Sequence, residues 1–217
     1  MTIARQEPEA TQTDSGKELF IVEGESASLA VQRVSNNQYQ AVLPMQGKPL
    51  NAWKASRSAV LKFEIYQSLI DLLGIGFDEN INLDNRRFER VLILADPDAD
   101  GIHCGALLLF FFYRWLRPWL DGNRLLQVQA PKLQISAPKM GEPRQIYTEE
   151  GARQLLDALE QHQIKNVVKH NYRGLASLST DVLHKYCIQP TTRKARILTA
   201  ADAEEAVLVF GGPAKRG

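Results

Sequence analysis

Apolar residues fall along this chain either in short unbroken runs or spaced three and four apart. Leu19-Phe20-Ile21-Val22 is apolar throughout and ends in Glu23-Gly24, which reads as a buried strand entering a tight loop. Ser26 then stands at an N-cap position, and a short helix is expected over residues 27–34. Ala41-Val42-Leu43 reads as a second strand, closed by Pro44, and Gly47, Pro49 and Asn51 mark a loop. Leu61, Ile65, Leu69, Leu72 and Leu73 have helical spacing, so one helix is expected over 58–73 with Gly74 as its stop. Val91-Leu92-Ile93-Leu94-Ala95 is the strongest strand, and an all-apolar run suits a strand covered on both faces. It runs into Asp96-Pro97-Asp98-Ala99-Asp100-Gly101, and a buried helix is expected over 106–116. Strand and helix alternate, which predicts an α/β fold with a doubly wound parallel sheet and flanking helices.

After Gly122 the texture changes. Residues 125–128 and 132–136 read as strands, and Gln145-Ile146-Tyr147 pairs with the latter across a loop at 138–143. Helices are expected over 151–162 and 200–209. The resulting division is a lead-in at 1–16, a core at 17–130 and a small mixed α+β tail at 131–217.

Composition narrows the class. With 217 residues, 44% hydrophobic and 24% charged, the chain is long enough for one sizeable core and is not a wholly disordered protein. Cys104 and Cys187 form no C-x-x-C pair, so neither a disulfide framework nor a zinc site is expected. Reduced thiols suit a cytoplasmic protein. The opening stretch is polar and carries Glu7, Glu9 and Asp14, so it reads as a disordered lead-in rather than a signal peptide. The greasiest run, 106–115, is interrupted by Arg114 and falls well short of the roughly 20 residues of a membrane helix. No membrane partner is expected.

Candidate chemistry sits at two strand ends. One presents Glu23 and the other Asp96, Asp98 and Asp100. In an open α/β sheet, ligands bind at the carboxyl ends of strands, so these acids converge despite their distance in sequence. Clustered carboxylates repel unless a cation neutralises them. Oxygen-only ligands favour Mg²⁺, and such a site suits phosphoryl transfer. Two other readings compete. The D-x-D-x-D-G run resembles the start of a calcium loop, but Leu107 stands where that loop needs glutamate. A solvated acidic turn without metal is the other.

The net charge of +1 argues against a simple polycation, yet the basic residues are unevenly placed. No acid occurs between Ser26 and Phe63, where Arg33, Lys48, Lys54, Arg57 and Lys62 lie. From Lys165 to Arg196 there are seven Lys/Arg and one acid, Asp181. Basic flanks around an acidic centre fit a polyanion held by its phosphates, with a plain solvated face as the alternative.

At these residues the chain resembles the Toprim domain and C-terminal tail found in the B-type polypeptides of type IIA DNA topoisomerases, DNA gyrase and topoisomerase IV. Glu18-Leu19-Phe20-Ile21-Val22-Glu23-Gly24-Glu25-Ser26-Ala27 is similar to E-L-x-I-V-E-G-D-S-A. Leu43-Pro44-Met45-Gln46-Gly47-Lys48-Pro49-Leu50-Asn51 is similar to L-P-L-[RK]-G-K-x-L-N. Asp96 to Gly101 with His103 resembles D-A-D-V-D-G-x-H, and Tyr172-Arg173-Gly174-Leu175 resembles Y-K-G-L.

The resemblance implies a Rossmann-like Toprim sheet and a Mg²⁺ cofactor. It implies that Glu23, Asp96 and Asp98 are metal ligands, with Asp100 as the further acidic position. Glu23 is also the implied general acid/base for the 3′-oxygen at the cut. Lys48 and Asn51 match DNA-contacting positions, and Lys54, His103 and Arg173 are counted with them. The implied partners are double-stranded DNA and an A-type topoisomerase subunit that supplies the catalytic tyrosine. Nothing marks Tyr39, Tyr66, Tyr113, Tyr147, Tyr172 or Tyr186 as a nucleophile of this chain. Sixteen residues ahead of Lys17 cannot hold the family's ATPase and transducer domains, so a stand-alone short protein is expected, with ATP work left to a separate chain.

The motifs also depart from the family. Ser28 and Leu29 replace glycines, Glu25 replaces Asp, and Ala176-Ser177 replaces Gly-Glu. Three functions therefore stand: a Mg²⁺-dependent component of DNA cleavage and rejoining, a non-catalytic paralogue that binds DNA or the topoisomerase and regulates it, and a stand-alone Toprim nuclease.

Overall fold

The computed structural model describes residues 16–138 and 140–212. Most of the expected lead-in lies outside the described residues. Strands β1 (Glu18–Glu23), β2 (Gln40–Met45), β3 (Arg90–Leu94), β4 (Leu125–Val128) and β8 (Ala195–Ile197) form one sheet, ordered β2-β1-β3-β4-β8. All its pairings are parallel except that of β4 with β8. The α/β class and the parallel sheet with flanking helices are thus as the pattern predicts.

The unbroken apolar runs become strands buried on both faces. Leu19, Ile21, Val91 and Ile93 face one core, and Phe20, Val22, Leu92 and Leu94 face the other. Alternate residues of a strand point to opposite faces, so a strand covered twice needs every position apolar. The first core lies under helices α3 (Glu64–Leu73), α4 (Ala99–Trp115) and α5 (Arg117–Asp121). Phe110, Phe111 and Phe112 of α4 are fully buried, each contributing about 1.5–3 kcal/mol by burial. The Tyr66 ring stacks on Phe111 at 4.2 Å. The second core lies under α1 (Glu25–Val34) and the tail segment carrying Leu175, Leu183 and Cys187.

Pro44 sits within β2 instead of closing it. β2 pairs only with β1, and an edge strand tolerates a residue without an N–H. The single helix expected over 58–73 is two helices, α2 (Arg57–Leu61), capped by the Ser56 side chain, and α3, which ends at Gly74. α1 begins at Glu25 with Gly24 at its N-cap position, so Ser26 lies inside the helix. α4 begins well before residue 106, because Asp98 caps it by accepting a hydrogen bond from the Gly101 N–H at 2.8 Å. A Cβ on Gly101 would lie 2.1 Å from the Asp96 carbonyl oxygen, so only glycine lets the helix start this close to the strand end.

The tail builds a second sheet, β6-β5-β7, from β5 (Leu133–Ser136), β6 (Arg144–Ile146) and β7 (Val168–Asn171), all antiparallel. Helix α6 (Glu149–Gln161) packs Ala152 and Leu159 against Leu133, Ile135 and Ile146. The chain then passes through α7 (Thr180–Leu183) and returns to the main sheet as β8. Helix α8 (Ala200–Ala206) follows and widens into a looser turn at Val207–Gly211, in place of the longer regular helix expected there. Arg193, just ahead of β8, is buried in an ion pair with Glu18 of β1, and Gln40 donates to the same carboxylate at 3.0 Å. No helix among the described residues is long and apolar enough to cross a membrane.

Candidate metal centre at the strand edge

Register sets the site. Val22 lies beside Leu94, so Glu23 and the Asp96 turn leave the sheet at the same edge. Glu23 ends β1. Its Oε1 accepts a hydrogen bond from the Cys104 thiol at 3.5 Å, while its Oε2 is buried and has no partner among the described residues. Burial pushes the Glu23 pKa up, repulsion from Asp96, Asp98 and Asp100 adds to it, and the Cys104 hydrogen bond opposes. Burial above all, with the Glu23 charge second, pushes the Cys104 thiol up to about 12, so it stays a donor.

The three aspartates have different partners. Asp96 Oδ1 accepts from the Leu175 N–H at 2.8 Å. This contact seats the Tyr172-Arg173-Gly174-Leu175 loop on the strand edge. Gly174 has φ +118°, and a Cβ there would lie 2.5 Å from Asp96 Oδ2. Both its backbone angle and its closeness to the carboxylate require glycine. Asp98 is held as the α4 cap. Asp100, in the first turn of α4, pairs with Lys48 at 2.7 Å. That pairing holds the Asp100 carboxyl below its ordinary range and raises the Lys48 ammonium. Both groups are more than half exposed, so the pair orients side chains more than it stabilises the fold.

The other expected residues divide. Arg173 is exposed and lines a cleft of about 480 Å³ that also holds Asp96 and Asp98. Asn51 spends its side-chain oxygen on the Trp53 N–H at 3.1 Å. Lys54 and His103 lie toward the C-terminal turn. A Cβ on Gly212 would fall 2.4 Å from the Lys54 ammonium, and the His103 ring stacks on Phe210 at 5.1 Å. The fold therefore brings Glu23, Asp96, Asp98, Asp100 and Lys48 to one edge, adds Arg173 through the Gly174 seat, and leaves Lys54 and His103 against the last described turn.

No three His, Cys, Asp or Glu side chains among the described residues are grouped to hold a metal as they stand. The donor chemistry nonetheless fits a hard divalent cation, since the acids offer oxygen alone and the Glu23 Oε2 is buried without a partner among the described residues. Two features escaped the sequence pattern. Cys104 sits inside an apolar helical run that says nothing of Glu23, and the Leu175 N–H is a backbone group.

Known proteins resemble this chain in sequence. Residues 18–127 match the Toprim domain model. The B subunit of DNA gyrase from Thermotoga maritima is 35% identical over 193 residues, covering 89% of this chain and 30% of the relative. Its counterpart in Archaeoglobus fulgidus is 32% identical over 194 residues, and that of Streptococcus pyogenes 34% over 198, with the same two coverages. The chain thus spans about 30% of the length of these relatives.

Proposed function

This chain belongs to the Toprim domain family, and we propose that it is the magnesium-dependent component of type IIA topoisomerase-like DNA cleavage and rejoining. A partner of the A-subunit type would supply the tyrosine. One observation carries the reading: a buried Glu23 oxygen, without a partner among the described residues, lies near a three-aspartate turn at the edge of a Toprim sheet.

Glu23, Asp96 and Asp98 would hold the cation, which when bound neutralises the carboxylates and stabilises charge on a phosphate oxygen. The protein prepares the rest. Asp98 is fixed in direction by its cap bond, and Asp96 by the Leu175 N–H. Without a cation, burial and the neighbouring aspartates raise the Glu23 pKa, and a bound cation would relieve that repulsion and favour the carboxylate. Lys48 stands beside the turn, where DNA phosphates would replace Asp100 as its partner.

Calorimetric titration with Mg²⁺ and Mn²⁺ tests the metal directly. Wild type should bind, and Glu23→Gln should weaken binding by about tenfold or more, since even outer partners of a ligand cost that much. Equal affinity in the two proteins would remove the reading. DNA cleavage with the A-type subunit supplied tests the activity.

The regulatory reading rests on its own observation: Asp96 and Asp100 are already engaged, by Leu175 and Lys48. It predicts that Glu23→Gln leaves the protein's cellular effect unchanged.

A further inference from the structure

The basic run between Lys165 and Arg196 is only partly explained by the fold. Arg193 is buried on Glu18, Arg196 pairs with Asp202 at 2.6 Å, and Lys185 lies 3.8 Å from Glu142. Lys169, Arg173 and Lys194 form no ion pair among the described residues, and neither do Lys132 and Arg144. These five cations lie along one path. The cleft of about 480 Å³ at the aspartate turn is lined by Lys132, Lys169 and Arg173, with Asp96, Asp98 and Glu149 as its acidic side. A second cleft of about 210 Å³ shares Asp96 and Lys132 with the first and is lined by Tyr147. A third, of about 410 Å³, shares Tyr147 and adds Arg144 and Lys194, with Glu142, the partner of Lys185, as its acid. The Lys194 ammonium sits 4.2 Å over the Tyr147 ring, which fixes it at the groove wall.

The shared residues join the clefts in series, from the carboxylate edge along the rim of the small sheet. Unpaired cations spaced along such a path suit a continuous polyanion. The ring of Tyr147 is already covered by Lys194, so base stacking is not what the groove offers; its chemistry is contact with phosphate.

We propose that this groove holds the phosphate backbone of duplex DNA where it leaves the carboxylate edge, without regard to base sequence. The proposal rests on the DNA-cleavage reading above. It makes the small sheet a positioning surface for the DNA flanking the cut.

Anisotropy of a short fluorescein-labelled duplex, titrated with KCl in EDTA, tests it without metal or partner. Each phosphate contact adds about 0.9 to the slope of log affinity against log salt. Lys132→Gln/Lys169→Gln/Lys194→Gln should lower that slope by about 2–3 and weaken binding at low salt at least about tenfold, equally on AT-rich and GC-rich duplexes. Lys169→Glu alone, at an exposed strand position, should weaken binding more than Lys169→Gln and guards against a misfolded triple variant. Wild-type slope and affinity in the triple variant, with weakened binding by Lys48→Gln/Lys54→Gln, would overturn the groove and leave the DNA reading standing. No duplex binding by wild type at low salt would overturn both. Competition by polyglutamate as effective as by unlabelled duplex would assign the groove to an acidic peptide and reject DNA.

Discussion

Asp96 and Gly174 are far apart in sequence but touch in the fold, and the contact tolerates no added carbon. A Cβ at 174 would meet the Asp96 carboxylate at 2.5 Å from a backbone angle that side chains rarely adopt. Gly174→Ala should therefore cost about 1–3 kcal/mol and release the loop. Thermal melting reads the loss, and faster amide exchange at Leu175 reads the release; unchanged exchange there would mean that the loop is held by something else. This contact also shows how much of the site could be read in advance. Glu23-Gly24 and the aspartate turn are local patterns, so they were visible. The Leu175 bond to Asp96 and the Cys104 bond to Glu23 span 79 and 81 positions, and neither residue type advertises its partner.

Elements follow the same division between local and distant causes. β1 and β3 were legible because burial on two faces leaves an unbroken apolar run. The break between α2 and α3 was not, since Leu61 and Ile65 keep helical spacing across Lys62 and Phe63. The start of α4 was missed because acids that suit a metal also suit a cap. Helix α8 is held by a reciprocal cap: the Thr199 hydroxyl accepts from the Asp202 N–H, and Asp202 accepts from the Thr199 N–H at 2.7 Å. Thr199→Ala should cost about 1 kcal/mol in denaturant unfolding. Asp202 adds a pH signature. Though burial opposes, its bonds to Thr199 and Arg196 hold its folded pKa below the ordinary value. Its contribution is complete above the unfolded pKa of about 3.9 and fades as pH falls through the depressed folded value. Asp202→Asn should flatten the acid limb of the stability curve; an unaltered limb would mean that the carboxylate contributes nothing.

At the scale of the whole molecule, one ion pair joins the first strand to the segment just ahead of the last. Arg193 and Glu18 are buried together, side chains 0% and 5% exposed, and Arg193 also donates to the Ile188 carbonyl at 3.0 Å. Removing one partner strands the other charge in the interior. Arg193→Met should therefore destabilise by about 3–5 kcal/mol, whereas Glu18→Leu/Arg193→Met should recover much of that loss in urea unfolding. A double variant no more stable than the single would show that the guanidinium acts through its other bonds instead. The pair also puts a clock on synthesis. Its partners are separated by 175 positions, so at about 5–20 residues per second the ribosome needs roughly 9–35 s between making the first and the second. Throughout that interval β1 carries a carboxylate with no guanidinium to bury beside, so this buried pair is among the last contacts of the central sheet to form.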